Sequence, residues 1–235
     1  MRRLLLRLAI NLALIMLNVA PAKTSERVVI DGFAIDRTEI TVCRFRQFAR
    51  ERRLTTAAER DGGGYEFAGG WTRSKGWFWS EPFGEPAADN EPAVHVSWNE
   101  ARDYCIGAGG RLPTFDEWRK AAYTETQANP ADGFVTARTY LYPVGDTPDG
   151  MNTSDRDQWP RHSAVGVTKR GVNGLYDMGG NVWEWLADRR GGEALTAGGS
   201  WWYGPDKAQA TAAQWKAADF YAVYVGFRCA YNIRN

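Results

Sequence analysis

The chain has 235 residues, 44% of them hydrophobic, and a formal charge of +1. A balance so close to neutral excludes electrostatic capture of nucleic acid or of an anionic membrane as the basis of function. With 11 tryptophans and 25 glycines, the composition argues against a simple helical bundle and for short elements joined by long structured loops that aromatic rings pack in place.

Arg2, Arg3 and Arg7 give a basic start, Leu8 to Leu17 is apolar apart from Asn11, and Ala20-Pro21-Ala22 offers a small-x-small cleavage site before Lys23. This predicts a secretory signal peptide over residues 1–22, with an uncleaved N-terminal anchor as the alternative. The apolar run is too short to span a bilayer comfortably, and no other stretch qualifies. The expectation is a soluble mature protein, periplasmic or secreted, forming one domain over residues 23–235. Loss of the three leader arginines leaves it at a formal charge of −2.

Val28 to Ile35 is rich in β-formers and predicts a strand. Thr41 is a suitable N-cap for a helix in which Phe45, Phe48 and Ala49 face inward beneath a basic face of Arg44, Arg46, Arg50, Arg52 and Arg53. That face reads as solvated rather than anion-binding, because no glycine-rich phosphate loop accompanies it. Asp61 to Tyr65 reads as a loop, and Trp71, Trp77, Phe78 and Trp79 as aromatics that staple irregular chain to the core, a ligand groove being the alternative. Ser97 or Asn99 caps a helix from Glu100 to Gly107, ended by Gly109-Gly110; Thr114 caps a second from Phe115 to Thr124, with Glu117 in the capping-box position. Residues 125–172 read as loop with brief strands such as Thr139 to Tyr142.

The densest stretch is Gly174-Leu-Tyr-Asp-Met-Gly-Gly-Asn-Val-Trp-Glu-Trp185, expected to be tight, irregular chain. Asp177 and Glu184 are hard oxygen donors flanking a glycine turn that can aim carbonyls inward, which is the chemistry calcium favours. The alternative is that Asp177 caps a turn and Glu184 pairs with an arginine. His95 and His162 are the only histidines and lie far apart in sequence without matched partners, which disfavours an iron or zinc site.

This stretch resembles the Gly-Leu-Tyr-Asn-x-x-Gly-Asn-x-Trp-Glu-Trp signature of the formylglycine-generating (sulfatase-modifying factor) family. Other segments fall in the family's order: Phe33 to Thr41, Pro92 to Trp98 with Ala101 to Cys105, Arg111 to Trp118, Gly198-Gly-Ser-Trp201, and Gly226-Phe-Arg-Cys229. The resemblance covers nearly all of the chain after the leader. It implies an α+β, C-type-lectin-like fold with little regular secondary structure, a twisted antiparallel sheet and two main helices. It implies structural calcium held by Asp177, Gly180, Val182 and Glu184, a second, weaker calcium site at Asn152 and Thr153 with Asp155 or Asp157, and a disulfide between Cys105 and Cys229. Cys43 is then left over and reads as a packed thiol.

In catalytic members of the family two cysteines follow the Gly-Gly-Ser, bind copper(I) as thiolates and oxidise a substrate cysteine to formylglycine. Counted from Ser200, those positions are Tyr203 and Ala208, and neither side chain binds copper. The ergothioneine-forming branch uses three histidine ligands to iron, which two histidines cannot supply. No copper or iron is therefore expected. Ser200 and Trp183 match pocket residues of the family, and Trp201, Trp202, Tyr203, Trp215, Tyr221 and Tyr224 form an expected aromatic ligand face between residues 200 and 224. As acid–base candidates the sequence offers Glu184, Asp219, Tyr203 and Arg228. The expected function is an exported factor that oxidatively matures a peptide or secondary metabolite without the copper pair, as in the pyoverdine-maturation branch. The alternatives are a non-catalytic module binding a peptide, sugar or small molecule, and a structural subunit of an envelope complex.

Overall fold

The computed structural model describes residues 26–154 and 157–233; the expected leader and Asp155 lie outside them. β1 (Arg27–Ile30) and β2 (Phe33–Asp36) form a hairpin, with Ile30 opposite Phe33, so the single strand expected over Val28 to Ile35 is two. Asp31 and Gly32 make the two-residue turn, with Gly32 at φ +87°, a conformation glycine adopts freely. α1 (Val42–Arg52) starts where Thr41 accepts a bond from the Arg44 amide and buries Phe45 and Ala49. α2 (Ala57–Arg60) is a single turn with a Thr56–Glu59 capping box.

β3 (Gly63–Phe67) and β4 (Trp71–Lys75) pair as a hairpin where the sequence reads as loop. Pairing requires glycine here: a Cβ on Gly63 would sit 2.1 Å from the Ser74 carbonyl oxygen and one on Gly64 2.0 Å from His95 Nδ1. α3 (Trp98–Gly107) and α4 (Phe115–Tyr123) carry complete capping boxes, Ser97 with Glu100 and Thr114 with Glu117. The described residues of 124–171 contain isolated bridges, including Thr124 to Thr139 and Tyr142 to Gly145, but no strand.

The main sheet is built from β5 (Trp183–Arg190), β6 (Glu193–Ala197), β7 (Gln214–Ala217) and β8 (Val225–Gly226), in the order β7-β6-β5-β8. Its pairs are antiparallel except β5 with β8. β9 (Ala230–Asn232) adds to β2, so a second sheet runs β1-β2-β9. The second half of the Gly174–Trp185 stretch is thus strand, and only its first half is irregular: Gly174, Asp177, Gly180 and Asn181 all have positive φ. Strand alternation along β5 puts Trp183 and Trp185 into one buried cluster, with Phe45, Trp98, Tyr104 and Phe227, and Leu186 into another, with Ile35, Trp118 and Leu195; the register shifts only beyond Trp185. Cys105 on α3 is disulfide-bonded to Cys229, their Cα atoms 5.5 Å apart across 124 residues of chain. Among the described residues no helix is long and apolar enough to cross a membrane.

Candidate functional site

The turn after β6 positions the site. Trp201 N–H donates to the Asn181 carbonyl and Tyr203 N–H to that of Ser200, each at 2.9 Å, so the loop is tied back to the signature stretch. The Tyr203 ring packs edge-on against Trp183 at 5.7 Å. Tyr224, buried, meets Trp201 at 5.4 Å, Trp202 at 5.8 Å and Tyr203 at 6.4 Å, and its hydroxyl accepts from Phe67 N–H. Trp71 extends the cluster through Tyr224 and Phe220. Trp202 remains 44% exposed, so this is a surface with an accessible ring and not a sealed core.

Two residues of the expected aromatic face lie elsewhere. Trp215 packs into the second buried cluster beneath the Arg190 guanidinium, because Leu195 is its β6 partner and strand alternation puts it on the opposite face from Lys216. Tyr221 is buried against Tyr65, and its hydroxyl donates to Asp61. Ala208 is buried with Tyr142, Val144 and Met151, and its carbonyl accepts from Tyr123. Cys43 is a half-buried free thiol in the first turn of α1.

Several polar atoms in this region are buried and unpartnered: the indole N–H groups of Trp183 and Trp201 and the Ser200 hydroxyl. Ser200 and Trp183 have 0% and 1% of their surface exposed. A residue the sequence did not single out completes the set. Lys216, on β7, places Nζ 4.4 Å from the centroid of the Trp183 ring and donates to Gln214 Oε1 at 3.1 Å. Burial pushes its ammonium down to about 8, and among the described residues no carboxylate pairs with it. Nothing in its sequence context marks it, since one lysine between Trp215 and Ala217 reads as an ordinary strand residue. Burial raises the Tyr203 phenol, with Lys207 opposing.

Behind the aromatic site lies a charged floor. Arg228, fully buried, holds Glu184 through Nε at 2.8–2.9 Å and Nη2 at 2.7 Å, and donates to the carbonyls of Asp36, Arg37 and Tyr176. Trp118 Nε1 donates to Glu184 Oε2 at 2.8 Å. The arginine pairing, the alternative read from the sequence, is therefore present at Glu184. Asp177 accepts from Gly166 N–H and from the Thr168 hydroxyl, and burial raises its carboxyl above the usual range. Val182 is fully buried, and a Cβ on Gly180 would meet the Asn152 carbonyl oxygen at 2.1 Å, so these segments touch. Asp219 is exposed.

Glu39, which lies in the Phe33–Thr41 motif but is not a candidate site residue from the sequence, is fully buried and accepts two bonds from the Asn181 amide. Burial, then repulsion from Asp177 and Glu184, pushes its carboxyl well up. The Asn181 oxygen accepts from Asn152 Nδ2 and from Ser163, while Asn152 Oδ1 is buried without a partner. Thr153 N–H is bonded to Asp157, whose other oxygen accepts from Trp159 N–H. Among the described residues no cluster of three or more histidine, cysteine, aspartate or glutamate side chains is arranged to hold a metal. A calcium ion here would draw on amides and carbonyls, and the unpartnered Asn152 oxygen beside Asn181 and Glu39 fits such a donor set.

The two histidines are closer in the fold than in the sequence. His95 Nε2 lies 3.0 Å from the Pro82 carbonyl and the His162 ring packs on Phe83; burial pushes His95 down to about 4, the Pro82 bond opposing and His162 adding a smaller downward push. His162 also has a partner, Glu91 at 3.0 Å.

Fold and site together define a member of the formylglycine-generating family. Residues 14–233 match the sulfatase-modifying factor enzyme 1-like domain, and the chain belongs to this family. It is 32% identical to the inactive C-alpha-formylglycine-generating enzyme 2 of Bos taurus, over 86% of this chain and 78% of that protein. It is 30% identical to the formylglycine-generating enzyme of Mus musculus, over 72% of this chain and 51% of that one. Among solved structures it is similar to PvdO from Pseudomonas aeruginosa, with a TM-score of 0.63 at 19% identity over 86% of this chain and 80% of the other, a likeness of fold. The α+β, C-type-lectin-like architecture is as expected.

Proposed function

We propose that the chain is an exported member of the family that binds a peptide or small molecule on the aromatic surface around Trp183, Trp201, Trp202, Tyr203 and Tyr224, and that it does not make formylglycine. The observation that carries this reading is the pairing of accessible aromatic surface with buried, unpartnered hydrogen-bonding groups, a combination suited to a ligand that supplies the missing partners. Tyr203 stands on Trp183 where a thiolate pair would be required, and Ala208 faces a separate apolar cluster. The likeness to a relative named as an inactive enzyme supports the same reading. The disulfide between Cys105 and Cys229 supports export to an oxidising compartment.

A second reading is oxidative maturation of the bound peptide or metabolite. It is favoured by Tyr203 and Lys216, two ionisable groups held against the same indole. One experiment separates the two. The purified mature protein is screened by NMR against short peptides, sugars and aromatic heterocycles, with oxygen uptake followed on every hit. A ligand without turnover supports binding, oxygen uptake with a changed ligand supports maturation, and the absence of any hit overturns both. Calcium is proposed as a structural ion held by Asn152 Oδ1, Glu39 and neighbouring carbonyls, leaving Glu184 to Arg228 and Asn181 to its hydrogen bonds.

A further inference from the structure

The groups around Trp183 have a common character. Lys216 Nζ is a cation whose protein hydrogen bond goes to a neutral amide, Gln214. Trp183 Nε1 can only donate, and it is buried without an acceptor. The Ser200 hydroxyl, also buried and unpartnered, begins the turn that carries Tyr203 onto the Trp183 ring. Leaving donors unsatisfied in a native interior is costly, and the half-buried Lys216 ammonium beside them has no carboxylate partner among the described residues. The surroundings do not relieve it. Tyr203 and Tyr224 are phenols raised by burial and so neutral around pH 7; Lys207 is paired with Asp206; Glu66 accepts from the Ser74 hydroxyl. The deficit is of negative oxygen.

We propose that the ligand of this site carries a carboxylate, seated against Lys216 Nζ and the Trp183 indole N–H, with the Ser200 hydroxyl as a further donor and the Tyr203 and Tyr224 rings flanking its apolar part. This rests on the reading of the aromatic surface as a ligand site and names the chemistry of what it takes. The carboxylate can come from a free aromatic acid or from the C-terminus of a peptide. A charge-assisted contact inside such a site is worth about a ten-fold preference for the acid over its neutral amide.

The test is isothermal titration calorimetry of the mature protein with four probes: phenylacetate, phenylacetamide, N-acetylphenylalanine and its amide. Each acid is expected to bind about ten-fold more tightly than its amide. Phenylacetate alone showing the preference identifies a small acid as the source, and both acids showing it a peptide terminus. K216Q is expected to erase the preference while leaving amide binding in place. The preference is also expected to shrink between about pH 7 and about pH 9.5, as the lysine loses its proton. Equal affinities for acid and amide, or a preference that survives in K216Q, would overturn the carboxylate while leaving the ligand site standing. No binding by any probe would overturn both. Thermal melting of ligand-free K216M gives a check independent of binding. It is expected to melt at or above the wild-type temperature, and a clear fall would assign Lys216 a structural role and refute the proposal.

Discussion

Replacing Arg228 with methionine tests the charged floor most directly. The side chain fits a similar volume but removes every contact the guanidinium makes. Glu184 loses its counter-charge at 2.7 Å, the carbonyls of Asp36, Arg37 and Tyr176 lose a donor, and Glu39 and Asp177 lose a cation that favours their charged forms. Breaking one side of a buried ion pair typically costs about 3–5 kcal/mol, and the lost carbonyl bonds keep R228M near the top of that range. For a domain of this size about 5 kcal/mol corresponds to a fall in Tm of roughly 10–20 °C. Thermal melting followed by circular dichroism reads it, with urea unfolding as a second measure. E184Q/R228M should recover part of the loss, because the stranded charge is gone, and the double-mutant cycle should give a coupling of about 1–3 kcal/mol. A Tm for R228M within about 2 °C of wild type, or strictly additive single mutants, would refute the account of Arg228 as the counter-charge of a buried acidic cluster.

Reduction of the disulfide should lower Tm substantially: a loop of 124 residues gives about 5 kcal/mol on the chain-entropy model, and C105S/C229S should behave like the reduced protein. A chelator should lower Tm, calcium should restore it and magnesium should not, while N152A should blunt the response; a melting curve indifferent to chelation would remove the calcium proposal. Copper-loaded protein should leave a Cys-x-Pro-x-Arg peptide unchanged by mass spectrometry, and aldehyde formation would show a redox centre that Tyr203 and Ala208 do not provide. W202A should alter stability by less than about 1 kcal/mol, since that ring is 44% exposed, while weakening any ligand that the NMR screen finds.

Those parts of the fold governed by local chemistry were readable from the sequence. Thr41, Ser97 and Thr114 announce three helix starts, because a capping hydroxyl satisfies a first-turn amide in any context, and at Ser97 and Thr114 a glutamate three residues later completes the box. The Asp31-Gly32 hairpin carried a local signal that the strong β propensity around it masked. The β3–β4 hairpin carried almost none: its glycines suit a strand only because Ser74 and His95 come so close, which is a tertiary fact. The site divides in the same way. Ser200, Trp183 and Tyr203 sit in recognisable motifs and the structure brings them together. Trp215 shares their composition but points to the other face of its strand, while Glu39 and Lys216 gain their meaning only from what surrounds them after folding.

The sheet β1-β2-β9 places the first and last described strands on either side of β2. With neighbouring strands about 4.8 Å apart, Arg27 and Asn232 lie across only two strand spacings and a short offset, a gap of about 14 Å. A linker of about six residues would join them without strain, and new ends could be opened in the short link between β3 and β4. The fold is therefore a candidate for circular permutation: the order of its strands along the chain can be rewritten while their neighbours in space stay the same.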